Sequence, residues 1–112
     1  MKIAIPMASG LLCLHFGHCE QFVLIETDEA NHSIVNTEYV TPPPHAPGVL
    51  PAWLAEKGAN VIIAAGMGQR AQNLFTQNGI AVVVGAPAAG PEELAQAYLD
   101  GQLEAGENVC DH

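Results

Sequence analysis

The residues best equipped for chemistry gather in one stretch, Met7 to Phe22 (M-A-S-G-L-L-C-L-H-F-G-H-C-E-Q-F), which holds two of the three cysteines and two of the five histidines. Cys13, His15, His18 and Cys19 offer soft and borderline donors for zinc, copper or iron-type metals. Their spacing fits no standard zinc framework, which pairs cysteines as C-x2-4-C or histidines as H-x3-5-H. The two thiols also suit a second role, as small buried hydrophobes. His15 and His18 flank Phe16-Gly17, where glycine lets the backbone approach a bound group. A third imidazole, His45, sits in the run T-P-P-P-H-A-P-G. Farther on, Gly66-Met67-Gly68-Gln69-Arg70 places glycines before a helical pattern, exposing N–H groups at the positive end of a helix dipole. Arg70 is the only arginine, and it falls in that helix's first turn, where a cation opposes the dipole unless it has another use.

The elements that must position these groups follow from apolar periodicity. Lys2 to Pro6 reads as a buried strand, and Phe22 to Thr27 as a second. Asp28 to His32 is a polar turn, and Ser33 to Val40 alternates as the third strand of a hairpin, with His32 solvated at its tip. The proline-rich run Thr41 to Gly48 is an extended loop. A first helix follows, with Leu50, Trp53 and Leu54 on one face, Pro51 in its first turn and Gly58 as its stop. Val61 to Ala65 is apolar throughout, as a strand covered on both faces must be. The second helix carries Ala71, Leu74 and Phe75 on one face and ends at Asn78-Gly79. Ile80 to Val84 is the fifth strand, Gly85 to Gly90 a small-residue loop, and Pro91-Glu92-Glu93 opens a third helix that stops at Gly101. The order β-β-β-α-β-α-β-α predicts an α/β domain with a five-stranded mixed sheet and helices on its faces.

Strand directions can be counted along that order. If the first strand runs up, the loops after strands one, three, four and five all lie at the top. That edge gathers Cys13, His15, His18, Cys19, His45 and Arg70, and ligands of open α/β sheets bind beyond the carboxyl ends of such strands.

Residues 1–112 make one domain, with a 49% apolar and 13% charged composition that supports a packed core; residues 104–112 read as a frayed tail starting at the opposite edge. Three Lys+Arg against twelve Asp+Glu leave a formal charge of -9, which disfavours nucleic acid and anionic membranes. No run approaches the ~18 apolar residues of a membrane span, and a short apolar start with three scattered cysteines suits reduced thiols in the cytoplasm.

Five segments together carry a family resemblance: H-F-G-H-C-E-Q-F (His15 to Phe22), H-A-P-G-V-L-P-A-W-L-A-E-K-G-A-N-V-I-I (His45 to Ile63), G-M-G-Q-R-A (Gly66 to Ala71), N-G-I-A-V (Asn78 to Val82) and Y-L-D-G-Q-L (Tyr98 to Leu103). In this order the chain resembles the dinitrogenase iron-molybdenum cofactor biosynthesis family. The resemblance implies a ribonuclease H-like fold. It also implies cofactor binding rather than catalysis, with a precursor of the iron-molybdenum cofactor as cargo or, as in the orange protein type, a non-covalently held molybdenum-copper sulfide cluster. The carry-over covers His15, Phe16, Gly17, His45, Gly66, Gly68 and Arg70. Ser9, Gly10, His18 and Met67 complete the candidate binding set. Cys13 and Cys19 are not part of the family pattern.

Two readings therefore stand. One is a monomeric carrier of an anionic metal-sulfide cluster, exchanging its cargo with a protein donor or acceptor. The other is a zinc or copper site built from Cys13, His15, His18, Cys19 and His45.

Overall fold

The computed structural model describes residues 1–13, 19–44 and 48–103, and the fold below is that of these residues. Strands β1 (Lys2–Ala8), β2 (Leu11–Leu12), β3 (Gln21–Asp28) and β4 (Ser33–Val40) precede helix α1 (Val49–Glu56). Then come β5 (Val61–Ile63), α2 (Gln69–Gln77), β6 (Ala81–Val83) and α3 (Pro91–Leu99). They form one sheet in the order β4-β3-β1-β5-β6, with β2 attached to β1. The α/β class, the mixed sheet and the three helices match the expectation. The strand count does not: there are six strands rather than five.

The additional strand has a local cause. Ser9 (φ 54°) and Gly10 (φ 81°) both take the left-handed conformation, which makes the two-residue reversal that matches the twist of a hairpin. Met7 and Ala8 then pair with Leu12 and Leu11. A strand of two residues has no periodicity to read, so apolar patterning passes over it. Pro6 survives inside β1 because a proline needs no donor partner. Its carbonyl accepts the Cys13 N–H at 2.9 Å on one side, while Phe22 pairs with it on the other.

Alternation divides the core between two faces. Ile3, Ile5, Met7, Leu12, Val23, Ile25, Val61 and Ile63 pack with Leu94 and Ala95 of α3. Ala4, Phe22, Leu24 and Ile62 face the other way, against Leu50 and Leu54 of α1 and Phe75 of α2. The result is three layers, and burying a Leu- or Phe-sized side chain in either interface contributes roughly 1.5–3 kcal/mol. Phe22 meets Trp53 edge-on, with centroids 5.8 Å apart. The helix stops fall where the glycines predict: Gly58, Gly79 and Gly101 all have positive φ. Although wholly apolar, β6 is an edge strand, with Val82 and Val83 serving opposite core faces.

β1 is antiparallel to β3 and β3 to β4, whereas β5 is parallel to β1 and β6 to β5. The carboxyl ends of β1, β4, β5 and β6 therefore share one edge, as the count of directions requires.

Candidate functional site

That shared edge is tied together by backbone bonds between its loops. Leu12 donates to the Ala89 carbonyl at 3.1 Å, so the β1–β2 hairpin is pinned to the loop before α3. Gly85 and Ala86 donate to Ala65 and Ala64 at 2.9 and 3.2 Å, joining the loops after β5 and β6. Glu20 donates its N–H to the Met7 carbonyl at 2.8 Å, and its Oε1 accepts the Ser9 N–H at 3.0 Å. Ser9 and Gly10 thus sit exposed at the tip of the hairpin, and the Ser9 N–H is committed to a carboxylate.

After β5, Gly66 and Met67 are buried, whereas Gly68, Gln69 and Arg70 are exposed. Gly68 is the N-cap of α2 (φ -65°, ψ 154°), and no side chain caps the helix. The Met67 carbonyl accepts from the Gln72 amide at 2.9 Å, which fixes the turn into α2 from within. A methyl group built on Gly68 would meet nothing within 4 Å, so the space over this cap is open. Its backbone conformation is one any residue adopts. What the first turn of α2 presents is therefore an uncapped helix start, a bare Cα and the Arg70 guanidinium, a combination suited to an anion.

Charge distribution strengthens that suitability. No Asp or Glu occurs between Lys57 and Pro91, the stretch that supplies β5, α2, β6 and the loops above them. The -9 of the chain is carried elsewhere, and the only charges in this stretch are Lys57 and Arg70. Lys57 lies against the Trp53 ring at the far end of α1, and Lys2 binds the Lys57 carbonyl at 2.8 Å. Among the described residues, Arg70 is accordingly the cation of the shared edge.

Of the thiols, Cys13 is buried and Cys19 half-buried, and both are reduced. Burial, then the neighbouring Cys13, pushes the Cys19 thiol up to about 11. A thiol so disposed stays protonated at neutral pH and is a poor donor until a metal displaces its proton. No group of three or more His, Cys, Asp or Glu that could hold a metal ion occurs among the described residues. His15, Phe16, Gly17, His18 and His45 lie outside the described residues, as does the 104–112 tail. A shallow groove of about 490 Å³ between Pro43, Val49, Trp53 and Glu56 lies beside the proline-rich loop and contains none of the described candidates.

Sequence reasoning missed Glu20, whose carboxylate positions the hairpin, and the Ala89 carbonyl that anchors it. Neither had a readable signal, since each acts through a contact between segments distant in sequence.

A three-layer α/β domain with an anion-suited edge is the class that fold and site define. The family model for the dinitrogenase iron-molybdenum cofactor matches residues 1–101, and the chain belongs to that family. It is 36% identical over 109 residues to the uncharacterised protein MJ0580 of Methanocaldococcus jannaschii, covering 93% of this chain and 90% of that one. Among solved structures it is similar to PH0822, with a TM-score of 0.85, 29% identity and 94% of each chain covered. It is also similar to the apo form of the orange protein of Desulfovibrio gigas, with a TM-score of 0.72, 26% identity, and 96% of this chain and 93% of that one covered.

Proposed function

We propose that this chain is a non-catalytic carrier that holds an anionic, molybdenum-containing metal-sulfide cluster on the shared edge without covalent attachment. The cargo is a molybdenum-copper sulfide cluster or a precursor of the iron-molybdenum cofactor. The observation that carries this reading is the acid-free stretch from Lys57 to Pro91, which brings the open start of α2 and Arg70 to the edge of a chain otherwise dominated by acids. In this assignment the N–H groups after Gly66 and Gly68 and the Arg70 guanidinium bind the sulfide face, Met67 holds the turn, and the hairpin at Ser9-Gly10 borders it. His15, Phe16, Gly17, His18 and His45, outside the described residues, are assigned to the same cargo, and the sheet to the ribonuclease H-like class. Family membership and the likeness to the orange protein support a metal-cluster cargo. The carrier acts as a cytoplasmic monomer and exchanges its cargo with a protein donor or acceptor.

Incubation with tetrathiomolybdate, with and without copper(I), followed by desalting and visible spectroscopy, tests the reading. Retained sulfide-to-metal charge-transfer colour with matching molybdenum content is expected, and Arg70→Ala should weaken retention by about 10- to 100-fold, the worth of one charge-assisted hydrogen bond. A colourless protein that instead retains zinc with its thiols deprotonated would replace this reading with the Cys and His metal site.

A further inference from the structure

The opposite end of the sheet carries a second feature, independent of the cargo. Among the described residues β4 is an eight-residue edge strand that pairs only with β3, so its outer backbone groups face no neighbouring strand. It lacks the lysines and prolines that usually protect such an edge, and its one register shift falls low on the strand, opposite Glu26/Thr27. Of the three large apolar side chains exposed among the described residues, two are on this strand: Val35 (63%) and Tyr39 (51%).

The two faces of the edge differ. Tyr39 and Thr37 lie opposite Val23 and Ile25 on the α3 face. Glu38 and Asn36 lie opposite Leu24 and Glu26 on the other face, so Glu38 and Glu26 are diagonal neighbours about 7–8 Å apart. Like charges so placed repel, and residues 3–56 contain no Lys or Arg to offset them. The adjoining hairpin adds Asp28, whereas Glu29 is paired with the N-terminal ammonium at 3.5 Å.

We propose that β4 is a docking edge for an extended cationic segment of another protein, added as a strand. Such a segment alternates Lys or Arg with aliphatic or aromatic residues. Its cations lie beside Glu38, with Glu26 one strand farther in and within reach of a long side chain, and its apolar side chains cover Tyr39. The hydrogen-bonding edge supplies binding, and the alternation supplies specificity. A second copy of this chain fits poorly, because it would bring the same carboxylates together. β4 ends at the shared edge, so a partner docked along it reaches the same edge of the sheet as the candidate site, three strands away from β5.

The probe is a capped octapeptide in which lysine and valine alternate, titrated into isotope-labelled full-length protein and followed by amide shifts. Beside it runs a capped peptide of equal composition with all its lysines placed before all its valines. The alternating peptide should shift residues 33–40 and bind about tenfold more tightly than the block peptide. Glu38→Lys and Glu56→Lys each add two charges, taking -9 to -7, and both side chains are exposed. Glu38→Lys should cost about tenfold in affinity, and Glu56→Lys less than about threefold. Equal binding of the two peptides, equal effects of the two substitutions, or shifts centred away from β4 would reduce the effect to bulk charge attraction and overturn the proposal. Shifts of β4 that depend on protein concentration without peptide would assign the edge to self-pairing and overturn it equally.

Discussion

Replacing Gly68 with alanine separates what the fold needs from what a bound anion needs. Gly68 has φ -65° and ψ 154°, allowed for alanine, and the added methyl meets no protein atom within 4 Å. Two small effects remain in the free protein. Alanine is a poorer N-cap than glycine, by an amount on the order of 0.5–1 kcal/mol. Against this, a stiffer unfolded chain returns about 0.4–1 kcal/mol. The two nearly cancel, so the melting temperature should move by less than about 4 °C. The bound state is different, because the methyl occupies the space over the start of α2 through which an anion reaches the N–H groups. Forfeiting one charge-assisted hydrogen bond there weakens binding by about 1.5–3 kcal/mol, or roughly 10- to 100-fold. Scanning calorimetry of the apo protein and a thiomolybdate titration by visible absorbance measure the two quantities. Unchanged affinity in Gly68→Ala, with the fold intact, would refute the placement of the anion over this cap.

Arg70→Lys should recover only part of the loss seen in Arg70→Ala, since an ammonium lacks the planar fork that grips two acceptors at once; the same titration checks it. Glu20→Ala should free the Ser9 N–H and loosen the β1–β2 hairpin at a cost of about 0.5–1.5 kcal/mol, seen as faster hydrogen exchange at Ser9 without global unfolding. Cys19 should destabilise the fold in alkali. Its folded thiol ionises at about 11 against an ordinary 9.0, so stability is complete below pH 9 and falls as pH rises towards 11, an alkaline loss that Cys19→Ala should reduce in denaturant titrations. Asp28 works in the opposite range: the Asn31 side chain, at 2.7 Å, and then the Asn31 backbone N–H lower its pKa. Its stabilising effect is present above the ordinary carboxylate range and lost on acidification, and Asp28→Asn should flatten the acid limb of the stability profile.

The layered fold was legible because its strands and helices have distinct periods. Val61 to Ala65 and Leu50, Trp53, Leu54 could each be read in isolation, and counting directions put four carboxyl ends on one edge. The two-residue β2 was not legible, since Leu11-Leu12 carries no period and its formation depends on left-handed backbone at Ser9, a residue that rarely adopts it. The edge position of β6 was equally hidden. Ile80 to Val84 is as apolar as Val61 to Ala65, because helices cover both faces of each strand; only the pairing order distinguishes a central strand from a terminal one.

For the candidate site, residue types can be read from the chain but electrostatics cannot. A formal charge of -9 argues against any anionic cargo when treated as a sphere, and a chain read only through its sum would be assigned a cation. Screening makes the sum a poor guide, since charges beyond about 8 Å contribute little at physiological ionic strength. What governs binding is the charge within that distance of the start of α2. There the Lys57 to Pro91 stretch contributes Arg70 and no carboxylate; the carboxylates of the shared edge come from outside that stretch, Glu20 committed to the Ser9 N–H and Glu92 and Glu93 in the first turn of α3, while Glu26 and Glu38 stand one and two strands beyond β1. Chain order alone conveys that no acid occurs over those residues. The consequence needs the fold, because only the parallel pairing of β1, β5 and β6 turns an acid-free stretch of sequence into an acid-free part of the binding edge.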